Sequence, residues 1–183
     1  MKIGVIRFPG TNCDRDVARA IELVGLEAEY VWWSNDNLTD FDGVVTDNCV
    51  YVDSKGEMTR KLNFKDIMAF SLLRKNGFKI GIISGEANSA IEIIREKFQV
   101  EEVHQGIRNK LDVLNNIIEK YNLSDEEFVY VGDDVNDFDS LNRAKYAVTV
   151  PTAVEKVKKI SHIQITHAES GMGAFREVVD SLL

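Results

Sequence analysis

Residues 40–48 read Asp-Phe-Asp-Gly-Val-Val-Thr-Asp-Asn. Three carboxylates crowd the short apolar pair Val44 and Val45, and Gly43 follows the second of them. Carboxylates so close repel one another, so such a cluster calls for a cation or a proton. Hard divalent ions such as Mg²⁺ take oxygen ligands from one or two carboxylates and leave room for water and a substrate phosphate. An Asp-x-Asp pair can supply a carboxylate nucleophile and, two residues on, a proton donor or acceptor. The plain alternative is a surface loop rich in Asp and Gly, which the stretch taken alone satisfies equally well.

The rest of the chain gives this stretch a context. The apolar run Ile80-Gly81-Ile82-Ile83 reads as a strand that ends on Ser84 and Gly85. Lys110 opens an amphipathic pattern, with Leu111, Leu114, Ile117 and Ile118 at helical spacing. Phe128-Val129-Tyr130-Val131 is the best-defined strand, and Gly132-Asp133-Asp134-Val135-Asn136-Asp137 follows it directly. After Asp47, two short segments, 49–52 and 58–62, flank Asp53-Ser54-Lys55-Gly56 as a hairpin. A helix is expected over 67–73, another over 90–98 and a third over 154–160, with short strands at 100–103 and 147–150. Alternating strands and helices predict an open, mostly parallel, Rossmann-like α/β sheet with helices on both faces. The ligand site is expected beyond the carboxyl ends of its strands.

Asp-x-Asp, a strand-borne serine, a lysine and a strand-borne Gly-Asp-Asp-x-Asn-Asp, in that order, resemble the haloacid dehalogenase (HAD) superfamily. The hairpin leading into Asn63-Phe64-Lys65-Asp66 resembles its capless branch, typified by 3-deoxy-octulosonate 8-phosphate phosphatase. The resemblance covers about residues 40–183. It implies a phosphatase of a small phosphorylated sugar or sugar acid. Asp40 would attack phosphorus, Asp42 would serve as acid and base, and Ser84 and Lys110 would hold the phosphate beside Gly43 and Gly85. Mg²⁺ would lie among Asp40, Asp42, Asp133 and Asp137, with Asp137 orienting either the lysine or a metal-bound water. It also implies a homo-oligomer, a tetramer in the capless branch, assembled through residues 48–63. Two residues depart from that branch: Glu86 stands where an arginine commonly follows Ser-Gly, and Ile67 replaces a glycine after Asp66. An arginine there would clamp a sugar-acid carboxylate bidentately, whereas Glu86 would repel it.

The nucleophile has two frames. Motif spacing selects Asp40, but residues 34–39, Ser-Asn-Asp-Asn-Leu-Thr, read as a loop rather than a delivering strand. The nearest apolar run, 43–46, reads as a strand that ends on Asp47, which makes Asp47 the alternative nucleophile.

Upstream, residues 2–8 read as a buried strand closed by Pro9-Gly10, a helix follows to Gly25, and residues 28–33 form a second strand. The run Ile3-Gly-Val-Ile-Arg-Phe-Pro-Gly-Thr-Asn-Cys-Asp-Arg-Asp16 resembles the start of the glutaminase subunit of phosphoribosylformylglycinamidine synthase. That likeness ends near Val45, and no Gly-x-Cys-x-Gly elbow follows, so glutamine hydrolysis is not expected. The chain reads as residues 1–39 fused to a phosphatase-like domain over 40–183; a non-catalytic fusion with relic motifs is the rival reading.

With 183 residues, the chain is long enough to bury a sizeable core. A formal net charge of −8 argues against sequence-independent nucleic-acid binding. Cys13 and Cys49 suggest neither a disulfide framework nor a zinc site. No apolar run reaches membrane-spanning length and no signal peptide opens the chain, so a soluble cytoplasmic protein is expected.

Overall fold

The computed structural model describes residues 2–7, 27–32, 42–56, 58–87 and 89–183. Near the amino terminus, β1 (Lys2–Arg7) and β2 (Glu27–Trp32) pair in parallel with Lys2 opposite Glu27, as the apolar runs predict. The helix expected between them lies outside the described residues. Next come α1 (Asp42–Val45) and the antiparallel hairpin of β3 (Tyr51–Val52) and β4 (Met58–Thr59).

Beyond the hairpin, strands and helices alternate: α2 (Phe64–Lys75), β5 (Gly81–Ile83), α3 (Ser89–Phe98), β6 (Glu102–His104), α4 (Lys110–Tyr121) and β7 (Val129–Val131). A 3-10 turn (Val135–Asp137) leads into α5 (Phe138–Arg143), β8 (Tyr146–Thr149), α6 (Glu155–Lys158), β9 (Gln164–Ile165) and α7 (Ala174–Leu182). Strand β5 pairs in parallel with β6, and β7, β8 and β9 form a second parallel ladder. The expected parallel α/β architecture is therefore present, and β5 and β7 end on Ser84 and Gly132-Asp133.

Local chemistry explains the helix ends. The Asn63 side chain accepts from the Lys65 N–H and caps α2, whose last turn carries Arg74 and Lys75 against the helix dipole. Asn122 closes α4 in the left-handed region, which Asn tolerates better than most residues. The faces so oriented bury Phe70, Phe98 and Phe175 together. Phe70 stacks on Phe98 at 5.3 Å and leans on Phe175 at 4.9 Å between ring centroids.

One expected strand is replaced. The apolar run 43–46 predicts a strand, yet Asp42–Val45 is a helical turn. Only Thr46 makes a bridge, to Leu62. Packing overrides propensity here: Val44 is fully buried, its carbonyl accepts the Gly171 N–H at 2.9 Å, and Gly43 rests against Asp133. The short strand expected at 100–103 is shifted to Glu102–His104, and α5 and β9 lie where no element was expected.

The carboxyl-terminal segment is fastened from below. Asp66, fully buried on α2, accepts the N–H groups of Gly173 and Arg176, both at 3.0 Å, at the start of α7. Burial raises the Asp66 pKa, and these backbone donors offset only part of that rise. A carboxylate at a helix amino terminus satisfies donors that otherwise lack partners.

Candidate active site

A cavity of about 400 Å³ opens at the carboxyl ends of β5 and β7. Gly43, Asn48, Arg60, Glu86, Lys110 and Asp133 line it, together with Gly85, Asp134, Asn136 and Asp137. The sequence-predicted residues that fall in the described part are thus largely brought to one place, although they are spread from Gly43 to Asp137 along the chain.

Asp137 is the anchor. Its side chain is buried, and Oδ1 accepts from Lys110 Nζ at 2.8 Å and from the Tyr130 hydroxyl at 3.1 Å. Oδ2 accepts the backbone N–H groups of Asp133 and Asp134, each at 3.2 Å. Four donors on one carboxylate hold the ion in place, and the buried Lys110 ammonium is held with it. The Gly132 position allows this arrangement, because a Cβ there would stand 2.6 Å from Asp137 Cγ.

Asp133 is held differently. Asn48 Nδ2 donates to Oδ2 at 2.6 Å, while Oδ1 accepts no hydrogen bond among the described residues. Burial is the main reason its pKa rises to about 6. The Asn48 hydrogen bond and the Lys110 charge oppose that rise, and the negative charges of Asp137 and Asp134 add to it. A carboxylate strained in this way is stabilised by a cation.

Gly43 packs against this group. An ideal Cβ on it would lie 1.8 Å from Asp133 Oδ1, so the Asp42-Gly43 segment runs flush against the Asp133 carboxylate. Asp42 opens α1 at this point. Asp40 lies outside the described residues.

Ser84 is fully buried, and its hydroxyl donates to the Glu86 carbonyl at 2.6 Å and accepts the Glu86 N–H at 3.1 Å. Gly85, beside it, lines the cavity; a Cβ there would stand 3.2 Å from Asn136 Nδ2. Asp47 does not line the cavity. Its oxygens accept from the Cys49 N–H at 3.1 Å and the Tyr51 hydroxyl at 3.0 Å, and Lys61 Nζ lies 3.9 Å away. His104 pairs with Glu102 at 2.9 Å, in the structural role expected of a lone histidine.

Sequence reasoning did not single out Asn48, Arg60, Tyr130 or Thr152 as site residues. Thr152 and Ser170 share a hydrogen bond at 2.9 Å, and Ser170 Oγ lies 3.5 Å from Asn48 Nδ2. Asn48 holds a left-handed φ of 57°, a conformation Asn adopts more readily than most residues. Its place directly after Asp47 in the acidic stretch was the one available signal.

Comparison with known proteins accords with this geometry. Residues 81–176 match the family described as haloacid dehalogenase-like hydrolase. The 3-deoxy-D-manno-octulosonate 8-phosphate phosphatase of Salmonella typhi is 29% identical over 146 residues, covering 80% of this chain and 77% of the relative. The crystal structure of such a phosphatase from Moraxella catarrhalis, in complex with magnesium ion, phosphate ion and KDO, superposes with a TM-score of 0.75. It is 26% identical, and the match covers 81% of this chain and 85% of that one. A separate match, 62% identical over 45 residues, is to the phosphoribosylformylglycinamidine synthase subunit PurQ of Methanothermobacter thermautotrophicus. It spans 25% of this chain and 21% of that protein.

Proposed function

The chain belongs to the haloacid dehalogenase-like hydrolases, and on that premise we propose that it is a Mg²⁺-dependent phosphomonoester hydrolase of a small phosphorylated sugar or sugar acid. One observation carries the reading: a fixed lysine and a buried, half-satisfied aspartate converge on one cavity against the Asp42-Gly43 segment. Phosphoryl transfer is catalysed mainly by positioning and by charge placed on the transferring oxygens, which is what this arrangement offers.

The residues fit a hard divalent cation. Asp133 keeps one oxygen without a donor among the described residues, in a setting that penalises its charge. No cluster of three or more His, Cys, Asp or Glu able to hold a metal occurs among the described residues. By the family resemblance, the groups that would hold it are Asp133, Asp40 and the backbone carbonyl of Asp42. When bound there, Mg²⁺ supplies neutralisation of the phosphate charge. Asp137, whose oxygens are taken by four donors, orients Lys110 instead of ligating the metal.

Asp40 attacks phosphorus and Asp42 protonates the leaving oxygen. Asp42 then takes a proton from the water that hydrolyses the aspartyl-phosphate, releasing inorganic phosphate. Lys110 steadies the negative charge throughout. Asp40 precedes Gly43 by three residues, and three residues of chain reach at most about 11 Å, so the nucleophile is tethered to the cavity. Asp47 is disfavoured because the strand that would deliver it is a helical turn.

Residues 1–39 are proposed as a fused β-α-β unit and residues 40–183 as the phosphatase-like domain; the 45-residue match and the β1–β2 pairing support that division. Self-association through residues 48–63 is also proposed. The hairpin leaves Tyr51 and Val52 more than half exposed, and Phe64 follows it, exposed on α2. Sedimentation velocity checks that point, and a strict monomer refutes it.

The activity is tested by phosphate release from p-nitrophenyl phosphate with Mg²⁺. Asp40→Asn is expected to abolish release, Asp47→Asn to keep most of it, and chelation of the metal to silence the parent protein. No release from the parent chain supports the non-catalytic fusion instead. Among the described residues, no helix is long and apolar enough to cross a membrane.

A further inference from the structure

We infer that the protein carries a second ligand site, at the amino ends of β5 and β6, built for a small organic acid with one carboxylate and an apolar body. The site is a cavity of about 450 Å³, a size suited to small molecules. Phe78 and Ile80 line it just before β5, and Phe98 and Val100 line it between α3 and β6. All four are buried, which gives the cavity an apolar floor. Strands β5 and β6 run parallel, so this cavity lies at the ends opposite those from which Gly85 reaches the active cavity. Among the described residues, none lines both.

The charges around that floor identify the ligand class. Among the described residues, the charged side chains of the lining are Arg74, Lys79 and Glu101, two cations to one carboxylate, the reverse of the active cavity. A chain of net charge −8 thus presents a local positive excess here. Arg60, Arg95, Arg143 and Arg176 each pair with a carboxylate. Arg74 instead donates to the neutral side-chain carbonyl of Gln99, and it makes no ion pair among the described residues. That bond holds the guanidinium at the rim, and its planar fork has more N–H donors than one amide oxygen takes, in a geometry that fits a carboxylate. Cations in the last turn of a helix answer its dipole, and Arg74 closes α2 in that way. Lys79 lies outside any helix, so the dipole does not account for it; its Nζ is placed 4.6 Å from the Tyr121 ring centroid. One net positive charge matches a monoanion, whereas Glu101 repels the second charge of a phosphate ester.

The experiment is isothermal titration calorimetry of the full chain with 2-naphthoate, an apolar monoanion, and with 2-naphthylmethanol as its uncharged counterpart. The parent protein is expected to bind the acid with a Kd on the order of 100 µM and the alcohol at least about tenfold more weakly. Arg74→Gln and Lys79→Gln should each weaken the acid about fivefold or more and leave the alcohol unchanged. Arg74 is exposed and Lys79 half-buried, so both variants keep the core intact, which thermal melting checks. In two-dimensional NMR, the acid should move the amide signals of residues 78–80 and 99–101 and leave those of 132–137 in place. Absence of binding at millimolar 2-naphthoate overturns the inference, as do equal affinities for acid and alcohol. So does an acid affinity that neither variant lowers, or amide shifts confined to residues 132–137. Binding is read directly, so a chain without phosphatase activity leaves this inference standing.

Discussion

Replacing Glu102 by Gln tests how this fold tolerates a buried carboxylate away from the cavity. Glu102 lies on β6 with its side chain only 7% exposed. Burial alone would raise its pKa, but hydrogen bonds from Lys120, from the Tyr121 hydroxyl at 2.7 Å and from His104 at 2.9 Å more than reverse this, lowering it from 4.5 to about 2. The native state therefore binds fewer protons than the unfolded chain between those values. The resulting stability is fully present above pH 4.5 and is lost as pH falls toward 2. That depression corresponds to about 3 kcal/mol. Lys120 is 60% exposed, so solvent screening discounts its share and about 2 kcal/mol is the working figure. Glutamine keeps one acceptor oxygen but loses the charge, so Glu102→Gln should lower the urea-unfolding free energy at pH 7 by about 2 kcal/mol. At pH 3.5 the parent protein has itself lost part of this term, and the gap between the two proteins should narrow by about 1 kcal/mol. A gap equal at both pH values, or below about 0.5 kcal/mol at pH 7, would refute the reasoning.

Two further outcomes follow from close packing. Gly43→Ala places a methyl group where Asp133 Oδ1 stands, 1.8 Å from an ideal Cβ. Phosphate release should fall at least about 100-fold through displacement of that carboxylate, and thermal melting should show a folded protein destabilised by about 1–3 kcal/mol. Asp66→Ala strips the acceptor from the Gly173 and Arg176 N–H groups, at a cost of about 3 kcal/mol in urea unfolding. It should also open the segment after Ser170 to limited proteolysis, and resistance equal to that of the parent chain would count against the fastening role.

Local signals were legible where local chemistry sets the structure. The Val129–Val131 strand, the Lys110 helix start and the hairpin around Asp53-Ser54-Lys55-Gly56 all lie where pattern and turn residues put them. What the sequence hid depends on neighbours distant along the chain. Val44 and Val45 read as a strand until Gly171 and Asp133 are seen to pack against that turn. Asn48 meets Asp133 across 85 residues and Asp66 meets Gly173 across 107, distances over which no periodicity carries information. The pairing of Arg60 with Glu86 is likewise visible only once the hairpin and the loop after β5 face each other. Ser84 shows the limit of a motif in isolation. Its position is as expected, but its hydroxyl serves the backbone of Glu86.

The charge arrangement gives the proposed metal requirement its electrostatic reason. The chain is acidic, and the cavity lining concentrates that character: among the described residues its carboxylates outnumber its cations two to one. A bare phosphate dianion approaching such a surface is repelled, and Lys110, already neutralised by Asp137, offsets little of that. Inside the protein, burial first and the charges of Asp137 and Asp134 after it penalise the ionised form of Asp133 and hold its pKa up at about 6. A divalent cation relieves both at once, because it stabilises the ionised form of Asp133 and reverses the field that the phosphate meets. The proposed chemistry and the acidity of the cavity are therefore linked: without the cation, the residues assigned to phosphate transfer would also be the ones that exclude phosphate.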